Sequence, residues 1–139
     1  MSGKKAFLDT NLFIYLIEEN ELYLNNVHNL LLFLEKNEYE ITTSTLTLGE
    51  ILTKPYKENR LDLVERYKEL FSDIELIKLN SEIASLFAKV RAEYKIKTPD
   101  AIQLASAVYA KADLFVTNDD GLNQFESNGC RVALLREFL

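Results

Sequence analysis

The 139 residues, 47% of them hydrophobic, are enough for one globular domain with an ordinary core, and a net charge of −6 from 22 acidic and 16 basic residues speaks against a protein that coats nucleic acid electrostatically, leaving room for a local basic rim only. A lone cysteine, Cys130, and a lone histidine, His28, exclude a disulfide framework, most zinc sites and every triad that needs an imidazole, so any chemistry falls to carboxylates. No run approaches the roughly 18 apolar residues of a membrane span, and Asp9 interrupts the apolar N-terminal stretch, which makes a poor signal peptide; a cytoplasmic protein is expected.

Lys4-Lys5-Ala6-Phe7-Leu8 reads as a strand covered on both faces, because its apolar residues do not alternate with polar ones, and it ends abruptly in Asp9-Thr10-Asn11. Leu12, Phe13, Leu16 and Ile17 then repeat with helical spacing over Asn11 to Glu19, with Thr10 as the expected cap. A second helix runs from about Leu24 to Lys36 on Leu30, Leu31 and Leu34, with His28 as a surface or boundary residue. Glu40 to Thr43 is β-prone; Ser44 caps a helix over Thr45 to Thr53, and Pro55 is expected to stop it. Arg60 to Phe71 predicts an amphipathic helix with Leu63, Tyr67 and Leu70 on one side, Ile74 to Leu79 a strand, and Ser81 to Tyr94 a further helix. Thr98-Pro99-Asp100 supplies a cap, a proline at the first helical position and an acid at the second, opening a helix that reaches about Lys111. Leu114 to Thr117 is a compact strand ending in Asn118-Asp119-Asp120-Gly121, and Arg131 to Leu135 is the last strand.

Strands alternating with helices predict an α/β sheet, largely parallel, with right-handed crossovers and a ligand crevice at the carboxyl ends of the strands. Asp9 and Asp119 each follow such an end, and Glu50 lies early in a helix that directly follows a strand. The helix headed by Asp100 feeds the strand Leu114 to Thr117 at its amino end, so that helix must start at the opposite edge. Taken singly these acids read as helix caps, Glu50 as a surface acid paired with Lys54, and Asp120 as a cap for the turn at Gly121. Independent caps, however, have no reason to gather on one rim. Two carboxylates about 4 Å apart at an effective dielectric near 20 repel by about 4 kcal/mol, so a helix N-terminus and a cation are expected to compensate. An all-oxygen set of Asp and Glu suits Mg2+ or Mn2+ and not Zn2+, and such ions activate water and stabilise a pentacovalent phosphate without a histidine base. Phosphodiester hydrolysis is the reaction class that follows.

The order Leu8-Asp9-Thr10-Asn11, Leu48-Gly49-Glu50-Ile51, Thr98-Pro99-Asp100-Ala101-Ile102-Gln103-Leu104-Ala105 and Val116-Thr117-Asn118-Asp119 resembles a PIN-domain ribonuclease, in particular the VapC-like toxins of prokaryotic toxin–antitoxin pairs. The resemblance spans nearly the whole chain. It implies a three-layer α/β/α fold with a parallel, five-stranded central sheet, commonly in a homodimer. It also implies a metal-dependent endoribonuclease in which Asp9, Glu50, Asp100 and Asp119 bind one or two Mg2+ or Mn2+ ions and position the attacking water. Asp9 and Asp100 would be the central ligands, Asn11 and Thr117 hydrogen-bonding supports, and Asp119 is preferred to the adjacent Asp120 as fourth ligand. A small antitoxin whose tail blocks the acidic groove is the implied protein partner. For the RNA backbone, Lys54, Lys57 and Arg60 on one side and Lys95 and Lys97 on the other adjoin the expected rim. The competing readings are an RNA-processing nuclease that is not a toxin, a Mg2+-dependent aspartyl phosphotransferase or phosphatase acting through Asp9, and a catalytically silent RNA- or protein-binding domain. Asn at position 11, where a second acid would favour phosphotransfer, counts against the second of these.

Overall fold

Five short strands, β1 (Lys5–Leu8), β2 (Glu40–Ser44), β3 (Glu75–Ile77), β4 (Leu114–Thr117) and β5 (Arg131–Leu134), form one sheet in the order β3-β2-β1-β4-β5, with every pairing parallel. The structure is a computed structural model and describes residues 3–127 and 129–139. Helices α1 (Thr10–Ile17) and α2 (Leu24–Lys36) join β1 to β2, α3 (Thr45–Lys57) and α4 (Leu61–Phe71) join β2 to β3, and α5 (Ser81–Glu93) and α6 (Thr98–Tyr109) join β3 to β4. Between β4 and β5 the chain makes only a short 3-10 helix at Asp120–Gln124, and another, Leu135–Glu137, follows β5.

The expected three layers follow from side-chain alternation in the two central strands. Phe7 and Phe115 face one side, stacked with ring centroids 5.4 Å apart, and pack with Ile83, Val90 and Leu104 of α5 and α6. Ala6, Leu8, Leu114 and Val116 face the other side and pack with Leu12, Leu30, Ile51 and Phe71 of α1 to α4. The chain leaves β1 toward β2 and β3 on one side and returns to β4 on the other. The crevice of such a sheet lies at this reversal, outside the carboxyl end of β1.

Several local expectations are corrected. α1 begins at Thr10, and its cap is Asp9, whose side chain accepts the Thr10 N–H. Pro55 does not end α3: it lies buried in the last turn, where its missing N–H costs one bond to the Ile51 carbonyl, and the Glu58 N–H still reaches the Lys54 carbonyl at 3.0 Å. In α4 the buried positions are Val64 and Phe71, with Leu63 and Tyr67 half-buried, whereas Leu70 is 49% exposed. The strand expected over Ile74 to Leu79 shrinks to Glu75–Ile77, because this edge strand pairs with β2 alone and Leu79 points to solvent. At α6 Thr98 is already helical and Lys97 is the cap, through its carbonyl accepting the Ala101 N–H at 2.9 Å; Asp100 therefore stands third in the helix. Leu135 falls after β5, in the short helix there. His28 is exposed on α2, as expected.

Candidate functional site

At the carboxyl end of β1, Asp9 is 6% exposed and each carboxylate oxygen has donors of its own. Oδ2 accepts the Thr117 hydroxyl at 2.7 Å, so the last residue of β4 reaches across to the last position of β1. Oδ1 accepts the Thr10 N–H at 2.9 Å and faces the Gln103 amide nitrogen at 3.4 Å. Burial raises the pKa of Asp9, the three donors oppose that shift, and the charge of Glu50 adds to it. A carboxyl in this position is a poor place for a charge unless further positive charge arrives.

The other acids surround it. Glu50, on the exposed side of α3, accepts the Thr10 hydroxyl at 2.6 Å, one residue from Asp9. Asp100 is half-buried at the start of α6, and burial first, then the charges of Asp9, Asp119 and Glu50, push its carboxyl up to about 6, with Lys97 pulling the other way. Asp119 follows β4; its N–H donates to the Thr117 hydroxyl at 3.1 Å and its Oδ1 accepts the Gly121 N–H at 2.9 Å. Thr117 thus touches both Asp9 and Asp119. Asp120 is turned away, into an ion pair with Arg136.

The rim is therefore an oxygen-only donor set of one buried, one half-buried and two exposed carboxylates. That chemistry fits a hard divalent cation, which would relieve the mutual repulsion recorded in Asp100. As the side chains stand, no three acidic, cysteine or histidine side chains among the described residues are grouped tightly enough to cage an ion, and the four acids meet at electrostatic range.

A model of the PIN domain family matches residues 6–127. The chain belongs to that family. Its fold is similar to those of a toxin–antitoxin complex from Klebsiella pneumoniae (24% identity over 91% of this chain and 95% of that one, TM-score 0.71) and of VapBC2 from Rickettsia felis bound to a DNA fragment from their promoter (21%, 93% and 97%, TM-score 0.72). It is also similar to that of FitAcB from Neisseria gonorrhoeae (23% identity, 84% and 88% of the chains, TM-score 0.61). No curated protein matches the chain.

Against this PIN frame the remaining expected residues divide. Thr117 hydrogen-bonds the Asp9 carboxylate, whereas the Asn11 Oδ1 is buried without a partner and it is the Thr10 side chain that turns toward the acids. Of the cations, Lys97 acts on Asp100, but Lys54 is bound to Glu18 at 3.1 Å and Arg60 to Asp62 through two hydrogen bonds of 3.0 and 3.1 Å. Lys57 and Lys95 are exposed. Two features are not apparent from the sequence pattern. Arg136, just beyond β5, brings a guanidinium to the same sheet edge through Asp120. Beneath the acids lies a buried polar layer of Thr43, Ser44, Thr47 and Gln103, in which Thr43 donates to the Leu8 carbonyl at 2.8 Å and Gln103 to Thr47 at 2.7 Å. The signal available in the sequence was the hydroxyl run Thr42-Thr43-Ser44-Thr45 followed by Thr47, and a glutamine inside the mostly apolar Ala101 to Ala107.

Two cavities flank Glu50. One, about 220 Å3, lies between α1, α3 and α4 on Ile14, Ile17, Ile51, Pro55 and Tyr67; the other, about 370 Å3, is lined by Leu46, Gly49, Ile77, Leu79 and Ile102. No helix among the described residues is long and apolar enough to cross a membrane.

Proposed function

We propose that this PIN domain is a metal-dependent endoribonuclease and that it is the toxin of a toxin–antitoxin pair, acting on RNA as a homodimer and neutralised by a small antitoxin. The observation that carries the nuclease reading is the gathering of Asp9, Glu50, Asp100 and Asp119 on one edge of the parallel sheet, near enough for the charges of the other three to act on Asp100, with no imidazole or thiolate on that rim. The toxin reading is supported by the likeness to the Klebsiella pneumoniae toxin–antitoxin complex and to VapBC-5 from Mycobacterium tuberculosis, described as a member of the VapBC family of toxin–antitoxin systems.

In this reading Asp9 and Asp100 would be the central ligands of one or two Mg2+ or Mn2+ ions, with Glu50 and Asp119 completing the set. The bound ion supplies an activated water and charge for the phosphorane that develops during hydrolysis. The chain's own residues do the rest. Thr117 holds Asp9 and the Asp119 backbone in register, and Thr10 fixes Glu50 against the start of α1. Lys97 stands beside Asp100 to meet a phosphate, and Lys95 flanks it; Lys54 and Lys57 lie in the last turn of the Glu50 helix and Arg60 just beyond it, where RNA would have to displace the pairs with Glu18 and Asp62.

The test is cleavage of a panel of structured and single-stranded RNAs with Mg2+, Mn2+ or EDTA, beside Asp9→Asn and Asp100→Asn. Metal-dependent cutting by the wild type alone is the expected result. A phosphoaspartate trapped on Asp9 would replace the reading with phosphotransfer, and RNA and Mn2+ binding without cleavage by any variant would leave a binding domain. Growth arrest on expression, relieved by the product of an adjacent small reading frame, separates a toxin from a processing nuclease.

A further inference from the structure

The Gln103 side chain is 2% exposed, sits one helical turn after Asp100, and is hydrogen-bonded at both ends. Proton counting fixes which way round its amide lies. As cap of α3, the Ser44 oxygen accepts the Thr47 N–H at 3.3 Å, so its single proton is free for the Gln103 Oε1. The Asp9 carboxylate and Thr10, whose proton goes to Glu50, can only accept, so the amide nitrogen must face them and leave Oε1 for Ser44. One of its protons goes to the Thr47 hydroxyl at 2.7 Å, and the other lies between Thr10 Oγ1 at 3.2 Å and Asp9 Oδ1 at 3.4 Å. The Thr10 proton is in turn committed to Glu50 at 2.6 Å, so Thr10 can only accept from Gln103.

A single buried amide is therefore linked to three of the four acids, only one of them by direct contact. It faces Asp9 directly, reaches Glu50 through Thr10, and is tied to Asp100 by the backbone of α6. We propose that Gln103 is a positioning residue for the cation-binding carboxylates, with Ser44 as the group that orients it. This rests on the reading of the rim as a divalent-cation site. The amide supplies a neutral donor that holds Asp9 and Glu50 in place without competing for the ion, as outer-shell partners of metal ligands do. A glutamine that served packing alone would have no reason to present its donor end to the acids.

The experiment compares Gln103→Met, which keeps volume and removes both polar ends, with Leu104→Val, which loosens the same helix without touching the acids. Mn2+ affinity is measured calorimetrically on folded protein below its melting point, and the Mn2+ concentration for half-maximal RNA cleavage is measured alongside. Gln103→Met is expected to weaken Mn2+ binding by about 10- to 100-fold and to shift the half-maximal concentration by the same factor, with cleavage largely recovered at saturating Mn2+. Leu104→Val is expected to lower Tm and leave Mn2+ affinity within about twofold of wild type. If Gln103→Met binds Mn2+ as wild type does, or if Leu104→Val weakens it equally, the positioning role is wrong although the cation site stands. A wild type that binds no Mn2+ overturns both. Should Gln103→Met fail to fold, Ser44→Gly takes its place, since glycine keeps most of the capping function; it must weaken Mn2+ binding in the same direction, and unchanged binding would overturn the proposal.

Discussion

Both edges of the sheet carry acids, and they treat them in opposite ways. At the amino edge Glu75 meets the Lys5 ammonium at 3.2 Å and Asp113 accepts the Lys5 N–H at 2.9 Å, so each acid has a positive or donor partner in open solvent. At the carboxyl edge Asp9 is buried among neutral donors and Asp100 is pushed to about 6, with burial the main cause and neighbouring carboxylates adding to both shifts. Ordinary surface pairing explains the first edge and adds little stability. The second edge costs the fold stability, and the cation proposed for it would relieve that cost.

The largest effect should come from breaking the carboxyl edge at its centre. Asp9→Asn and Asp100→Asn each keep shape and remove a charge; initial rates of RNA cleavage in Mn2+ should fall by at least about 100-fold, the scale seen when a group stabilising transition-state charge is removed. Circular dichroism should show the fold retained in both. Next comes the ion itself. At about 100 times its dissociation constant Mn2+ would stabilise the native state by about 2.7 kcal/mol, or roughly 5–10 °C in Tm, reversed by EDTA and sharply reduced in Asp100→Asn. An equal rise in wild type and variant would mean that the ion binds elsewhere.

The same edge should respond to pH. Asp100 has its folded-state pKa raised from 3.8 to about 6, so between those values the folded state keeps a proton that the unfolded state has released. This carboxyl therefore favours the fold most at low pH, and its contribution declines as pH rises through about 6. Thermal melts in EDTA from pH 4.5 to 7.5 should show a smaller decline, or none, for Asp100→Asn. Mn2+ has to displace that proton, so its affinity should weaken as pH falls through about 6, and calorimetry in buffers of different ionisation enthalpy should detect the released proton.

Charge reversal beside the acids comes next in size. Lys97→Glu combined with Lys95→Glu removes the cation that opposes the shift of Asp100, and should weaken RNA binding with little change in Tm. The slope of log affinity against log salt should fall by about 0.7 for each phosphate of a single-stranded RNA that the protein no longer neutralises. An unaltered slope would remove Lys95 and Lys97 from the RNA path.

How much of the contrast between the edges was legible in the sequence follows from its physical origin. The strands were legible because Phe7-Leu8 and Leu114-Phe115-Val116 are apolar without alternation, and the convergence of Asp9, Glu50, Asp100 and Asp119 on one rim followed from parallel topology alone. Partner choice was not legible, because it depends on side chains from distant elements. Lys54 pairs with Glu18 from the end of α1 and not with Glu50 one turn away, and Arg136 takes up Asp120 from 16 residues off. Gln103 was not legible for the same reason: in the helix it looks like one polar residue among alanines, and its meaning appears only when Ser44 and Thr10 are brought against it. Pro55 and Leu70 misled because local rules for helix ends and helix faces were overruled by the packing of α3 and α4 on each other and on α1.

The smallest effect should come from the amino edge, and it completes the contrast. Lys5→Met removes the ammonium from Glu75 but leaves the backbone bond to Asp113, because that bond uses the Lys5 N–H. The Lys5 side chain is 28% exposed and Glu75 53%, so solvent screens the pair and the loss should stay below about 1 kcal/mol. Cleavage rate and Mn2+ affinity should change little, since the altered charge lies at the far end of β1 from Asp9, beyond the three residues Ala6 to Leu8 of an extended strand and about 13 Å away. A chemical denaturation curve and a Mn2+ titration on this one variant decide the matter: a loss of Mn2+ affinity here would mean that the acids at the two edges are coupled through β1, and the carboxyl-edge cluster would no longer be an independent site.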